Sequence, residues 1–168
     1  MKRVRLSQGY MALVDDEDYL LVSEHLWHVD KFEKKIYAIR KVRRDGRRQK
    51  CYMHRFIVQP PMGLVVDHIN GNGLDNRRSN LRICTIKENL RNMSKPSRSN
   101  ASSRYKGVCF LAPDRVWRAS ICYERKTIYI GRFQTEEEAA VAYNHKAKEL
   151  FGAFANLNEV HSAAVAVV

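Results

Sequence analysis

The sequence predicts an α+β protein, and three observations carry that expectation. Short runs alternating apolar and polar residues dominate the first 58 residues. An apolar strand, a loop and a second short strand lead into a helix across 65–92. Three more strands then precede one long helix between 105 and 158. Alternation with a period of two marks half-buried strands, whereas apolar residues recurring every three or four positions mark a helix. The chain has 168 residues, 45% of them hydrophobic, which suits one domain or two small ones.

Within 1–58, RLSQGYMALVD and KKIYAIRKVRRDGRRQKCYMHRFIV read as strands, with a hairpin signal at Asp45-Gly46. Between them, DEDYLLVSEHLW fits a short helix with Tyr19, Leu20, Val22 and Leu26 turned inward. His54 reads as a structural histidine beneath a helix or strand. In 65–92, VVDH ends an apolar strand, NLRIC opens another, and TIKENLRN makes a helix capped by Thr85 with Glu88 three residues on. The stretch LRNMSKPSRSNASSRYK is rich in Ser and Asn, with five basic residues and no acid, and reads as a flexible linker that lies along phosphates when bound. Next, YKGVCFL, VWRASICY and KTIYIGRF are three strands turning at APDR and YERK. The helix TEEEAAVAYNHKAKELFG follows, capped by Thr135 and Glu138, with Ala139, Ala140, Tyr143, Ala147, Leu150 and Phe151 as its apolar face and Gly152 as its stop. The predicted organisation is a small β-rich N-terminal region and a core at about 53–92 within 1–92, a basic linker over 93–104, and a C-terminal domain over 105–160. In the last, a three-stranded antiparallel sheet packs on one helix.

A net charge of +12 favours a nucleic-acid partner. Residues 31–50 hold ten Lys or Arg against two acids, so a basic hairpin there can track a DNA backbone, with Tyr37 available for packing; a solvated face is the plain alternative. No basic amphipathic helix suggests a membrane surface, the tail SAAVAVV is too short to span a bilayer, and YMALV is too short for a signal-peptide core. The expectation is a cytoplasmic protein with no membrane partner. Cys51, Cys84, Cys109 and Cys122 form no CxxC pair, which predicts free thiols and no zinc.

The stretch VVDHINGNGLDNRRSNLRICTIKENLRN raises the chemical question. Asp67 and His68 are followed by Asn80 and Asn89, at intervals of 12 and 9 residues. Each alone is an ordinary turn former or hydrogen-bonding group. Together they are odd in so basic a chain, because carboxylates and amides suit a hard cation better than a phosphate. Residues 53–92 resemble the HNH nuclease motif in its phage homing-endonuclease form, where asparagine replaces the last histidine; the matching segments are DHINGN, DNRRSNLR and ENLRN. The resemblance implies a ββα-metal core with one divalent cation, Mg²⁺ or Mn²⁺. It implies that Asp67 and Asn89 ligate the ion, that His68 is the general base, and that Asn80 orients His68 or its loop. Arg77, Arg78, Arg82 and Arg91 surround these positions in sequence and can hold flanking phosphates. Some relatives carry histidine where Ile86 stands, and zinc-binding cysteines found in other nuclease families have no counterpart here.

Residues 105–158 resemble an AP2/ERF DNA-binding domain, through YKGV, WRASI, IYIGRF and TEEEAAVAYNHKAKELFGAFANLN. In that family the sheet enters the major groove. Strand alternation puts Arg118, Ser120 and Cys122 on one face and Trp117, Ala119 and Ile121 towards the helix. Lys106, Tyr129 and Arg132 match the family's contact face. Cys122 and Thr127 stand where plant members often have arginine, so a target sequence does not transfer.

The combined expectation is a metal-dependent HNH endonuclease of homing type, acting on double-stranded DNA in a bacterial or phage-infected cell, as a monomer or a homodimer. It nicks by default, since one active site cuts one strand per visit. Two other readings stand beside it: a non-catalytic AP2-type DNA-binding regulator, and an RNA- or ribosome-associated basic protein.

Overall fold

The computed structural model describes residues 1–32, 35–93 and 101–160. The chain forms two compact units, Met1–Leu90 and Arg91–Val168. Among the described residues no helix is long and apolar enough to cross a membrane.

The first unit starts with an antiparallel pair, β1 (Lys2–Arg5) and β2 (Met11–Val14), joined by a short 3₁₀ turn. Their inward residues Val4, Ala12 and Val14 are buried while Arg3 and Arg5 stay in water, which is the period-two pattern at work. Helix α1 (Asp16–Ser23) follows. Its inward stripe is Asp18 and Val22, four residues apart, at 3% and 0% exposure. The expectation that Leu20 and Leu26 point inward is overturned: they are 75% and 86% exposed. The helix stops before Leu26, and the core position beyond it belongs to Trp27, whose indole N–H donates to the Val22 carbonyl at 2.8 Å.

A three-stranded antiparallel sheet comes next, in order β3 (His28–Phe32), β4 (Lys35–Arg44) and β5 (Arg47–Tyr52). The β4–β5 hairpin turns at Asp45 and Gly46, both at positive φ (49° and 72°), so its turn follows the right-handed twist of the strands. Residues 53–58 are helix α2 (Met53–Val58) instead of a strand. Met53, Phe56 and Ile57 share a helical face against the core, and that packing overrides the β-branched Ile57-Val58 pair. The ribbon β6 (Val65–His68) and β7 (Leu81–Cys84) is antiparallel, and helix α3 (Ile86–Arg91) follows it. Thr85 and Glu88 form the expected reciprocal cap, with the Glu88 N–H on Thr85 Oγ1 at 3.2 Å and the Thr85 N–H on Glu88 Oε2 at 2.8 Å. One core serves the whole unit: Val66 and Leu81 of the ribbon pack with Val4, Val14, Trp27 and Met53.

The second unit is the sheet β10–β9–β8, made of β8 (Val108–Leu111), β9 (Val116–Tyr123) and β10 (Lys126–Phe133), with helix α4 (Glu136–Phe151) against it. Ala119 and Ile121 are buried opposite Ala139, Ala140, Tyr143 and Ala147. Those alanines let the helix lie close to the strands. The Thr135–Glu138 capping box is present, as the sequence predicts, and caps of this kind are worth about 1 kcal/mol. Gly107 has φ +75°, and a Cβ there would strike the Tyr143 ring, so only glycine serves at this entry to the sheet. Asn158 closes the unit by accepting the Lys106 N–H at 2.6 Å and bonding Asn144 at 2.7 Å. Residues 94–100 of the expected linker lie outside the described residues. Of the rest, Ser102 and Ser103 bond into the second unit, at Phe110 and Glu136.

Candidate active site

Strand β6 sets the geometry. Its register pairs Asp67 with Arg82 and His68 with Leu81, so alternation sends Asp67 and His68 to opposite faces of the ribbon. Both are buried, each at 6% exposure.

His68 lies on the core-facing side. Its Nε2 is 3.4 Å from Asn76 Oδ1, and Asn76 is fully buried, its own N–H bonded to the Leu13 carbonyl at 2.8 Å. An Nε2–H aimed at that oxygen makes Nδ1 the basic nitrogen of the ring. His54, at the start of α2, places its ring edge-on to His68 with centroids 4.8 Å apart. The Tyr37 ring is 5.9 Å from His54 and 6.0 Å from His68. Burial pushes the His68 imidazole below its ordinary pKa against the opposing pull of Asn76, Asp67 and Asp75; the charge of Lys35 adds to the lowering. His54 falls further, to about 3, first through burial and then through His68 and Arg55. Both rings are therefore neutral near pH 7. His54 Nδ1 and Asn76 Nδ2 are buried with no hydrogen-bond partner among the described residues.

On the other face, Arg82 grips the Asp67 carboxylate, its Nε and Nη2 at 2.9 and 2.6 Å from Oδ2. Cys84 shares this face, two residues along β7. Its thiol is pushed up first by burial and then by the Asp67 charge, against the opposing pull of Arg82; the Asn89 N–H donates to the Thr85 carbonyl at 3.0 Å. Asn89 itself is half-buried.

Asn80 pins the intervening loop. Its Oδ1 accepts the Asn70 N–H at 3.0 Å and its Nδ2 donates to the Asp75 carbonyl at 2.8 Å. Gly73 lets the loop lie on β4: a Cβ there would meet the Ile36 carbonyl and the Tyr37 ring. Asp75 is held ionised chiefly by Arg77, which meets it at 2.7 Å through both Nε and Nη2.

The arginines expected to hold phosphates have partners within the protein. Arg77 pairs with Asp75, and Arg78 with Asp18 at 2.7 Å and Glu17 at 3.2 Å. Their side chains are still 37% and 49% exposed, whereas that of Arg82, at 14%, is largely enclosed with Asp67. Arg91, the first residue of the second unit, lays its guanidinium over Phe151 and Tyr123 at 4.9 and 5.8 Å. Lys106 turns its ammonium to the carbonyls of Arg91 and Met93, at 3.0 and 2.7 Å, and burial lowers its pKa.

Residues absent from the expected set are His54, Asn76 and Tyr37 as neighbours of His68. Asn76 sits inside the DNRRSNLR segment, but nothing in that segment separates it from a turn asparagine until Leu13 arrives to fix its backbone.

On the Asp67 face the carboxylate is already held by Arg82, with the Cys84 thiol beside it. Among the described residues, the cluster of three carboxylate, imidazole or thiol ligands is Asp15, Glu17 and Asp18, all bonded to Arg78 and not including Asp67. The four cysteines are free thiols.

In the second unit, Arg118, Ser120 and Cys122 line up on the sheet face away from α4, opposite Arg132, Tyr129 and Thr127. A register shift between Tyr129 and Gly131 is what keeps Tyr129 and Arg132, three residues apart, on that one face. Arg132 pairs with Asp114 at 2.9 Å.

The description "HNH endonuclease" matches residues 51–91. The chain is 33% identical over 160 residues to an "Uncharacterized HNH endonuclease" of Acanthamoeba polyphaga mimivirus, covering 91% of this chain and 77% of that one. It is also 36% identical over 95 residues to "Protein 3.8" of Escherichia phage T7, covering 56% of this chain and 76% of the phage protein. No solved structure matches. With the matched segment holding Asp67, His68, Asn80 and Asn89 and the mimivirus similarity running nearly end to end, the chain belongs to the HNH endonuclease family.

Proposed function

We propose that this protein is a metal-dependent DNA endonuclease of homing type, hydrolysing phosphodiester bonds of double-stranded DNA inside a bacterial or phage-infected cell. The observation that carries the reading is His68: it follows Asp67 at the end of β6 with its side chain on the other face of the ribbon, it lies 3.4 Å from Asn76, and it is neutral at pH 7 because burial disfavours its charged form. A neutral imidazole is what a general base requires, and such a base contributes roughly 10²–10⁴-fold.

Asp67 and Asn89 would hold one Mg²⁺ or Mn²⁺. When bound, the ion offsets charge on the phosphoryl oxygens and on the departing 3′-oxygen. His68 takes a proton from water as that water's oxygen bonds to phosphorus. The bond from phosphorus to the 3′-oxygen breaks, its electron pair stays on oxygen, and that oxygen takes a proton from solvent. Asn80 has a positioning role, tying the loop that carries Asn76 to the start of β7. Arg82 holds the Asp67 carboxylate, and Arg77 and Arg78 keep an exposed edge for flanking phosphates. A single-metal site accepts any phosphodiester, so site preference comes from elsewhere. An AP2-like sheet face bearing Arg118, Ser120, Tyr129 and Arg132 supplies it, and Arg91 and Lys106 serve that unit from within.

The test is plasmid nicking with Mg²⁺ against EDTA. His68→Ala should abolish cleavage and leave DNA affinity within a few-fold; parallel loss of binding and cutting would refute the assignment. The 6% exposure of His68 favours a second reading, a non-catalytic AP2-type regulator, because a base must reach water. Mg²⁺-dependent nicking by the wild-type protein rules that reading out.

A further inference from the structure

The β4–β5 hairpin carries like charges directly opposite one another. Lys41 faces Lys50, Arg43 faces Arg48, and Arg44 faces Arg47. Like charges directly opposite one another destabilise an antiparallel pair. All six side chains are exposed, and only Lys50 has an acidic partner among the described residues, Asp30 at 2.9 Å. Two of the three pairs, Arg43–Arg48 and Arg44–Arg47, have no acidic partner among the described residues, and such uncompensated charge suits an external anion.

The two faces of the hairpin are not equivalent. Tyr37, Ile39, Lys41 and Arg43 alternate onto one face, with Tyr52, Lys50 and Arg48 beside them. Tyr37 is the residue whose ring stands 6.0 Å from His68, and the Gly73 contact seats the active-site loop against it. Lys41, Arg43 and Arg48 therefore extend the wall of the candidate active site outward. The opposite face carries Arg44 and Arg47 at its tip, and Arg40 further in, packed over the Phe56 and Trp27 rings at 4.6 and 5.7 Å.

We infer that Lys41, Arg43 and Arg48, on the face of the hairpin that continues the His68 pocket, form a phosphate-backbone grip for duplex DNA beside the cleavage site, while Arg44 and Arg47 on the other face do not. The inference rests on the nuclease reading for its substrate. The six residue steps from Tyr37 to Arg43 reach about 20 Å at about 3.4 Å each, the length of roughly six base pairs along a duplex. The grip fixes where the scissile strand lies relative to His68 and carries no base code of its own.

Duplex binding by the full chain, measured in EDTA over a range of salt concentrations, tests it without calling on catalysis. The triple variant K41Q/R43Q/R48Q should lower the slope of log affinity against log salt by about 3, at about 0.9 per phosphate contact. The double variant R44Q/R47Q should leave that slope within about 0.5 of wild type. Equal slope losses per charge removed from the two faces, or no loss from the triple variant, would overturn the inference. Melting temperatures keep misfolding out of the result: relief of the opposed charges should leave the triple variant as stable as wild type or more so, and a marked drop counts against the grip. A wild-type protein that shows the face-dependent slope but never cuts would refute the nuclease reading and leave this binding face standing.

Discussion

His54→Phe should flatten the acid limb of the stability curve of the first unit. The His54 ring is 7% exposed and its pKa in the fold is about 3, against an ordinary value of 6.5. Because the folded value is the lower one, the unfolded chain binds the extra proton. The neutral ring's contribution is complete above about pH 6.5 and is lost as the pH falls towards 3. Integrating the proton-uptake difference between those two values gives a loss of about 2 kcal/mol at about pH 5 and about 3 kcal/mol at about pH 4. Phenylalanine keeps a ring against His68 and Tyr52 and has no proton to take up. The assay is urea unfolding followed by tryptophan fluorescence in a Trp117→Phe background, so that the buried Trp27 reports on the first unit alone. Carboxylates also lose their native partners in acid, so the informative quantity is the wild-type loss minus that of the variant. That difference should grow to about 3 kcal/mol by about pH 4. Parallel curves would show that His54 is protonated in the fold, and the account of a desolvated histidine pair would fail.

Two further outcomes concern the residues that hold the site. Arg82→Ala leaves the Asp67 carboxylate buried without its cation and should cost roughly 3–5 kcal/mol in EDTA; a Mg²⁺ titration should recover more melting temperature in this variant than in wild type, and equal Mg²⁺ effects would argue against an ion at Asp67. Asn76→Ala removes the oxygen facing His68 Nε2 and should lower the single-turnover cleavage rate by about 10²-fold with DNA affinity intact; unchanged cleavage would show that the imidazole needs no such partner.

What could be read in the chain depended on how local its cause was. The Asp45-Gly46 turn, the Thr135–Glu138 box and the alanine face of α4 are settled by residues within a few positions of one another, and each appears where the pattern placed it. The misread elements have distant causes. Met53–Val58 is helical because its apolar face meets a core drawn from β1, β2 and β6, a contact no short window contains. Asp18 takes an inward position on α1 because Arg78, 60 residues away, pairs with it, and Leu20 is displaced outward as a result. The same holds at the site. Asp67 and His68 stand out in any reading of VVDHINGN. The neighbours that set their chemistry, Asn76, His54 and Tyr37, come from a loop, a helix and a strand brought together only by folding. The arginines of DNRRSNLR looked available because their acidic partners lie elsewhere in the chain or pass for turn residues.

The ribbon that carries Asp67 and His68 rests on strands laid down long before it in the chain, since Val66 and Leu81 find their neighbours among Val4, Val14 and Trp27. The matched segment 51–91 is consequently no portable cassette. Grafted onto another carrier it would arrive without its floor, with two apolar side chains in water and an imidazole adrift. Recombination that preserves this chemistry has to move the block Met1–Leu90 entire, so the indivisible heritable piece extends well beyond the motif that identifies it.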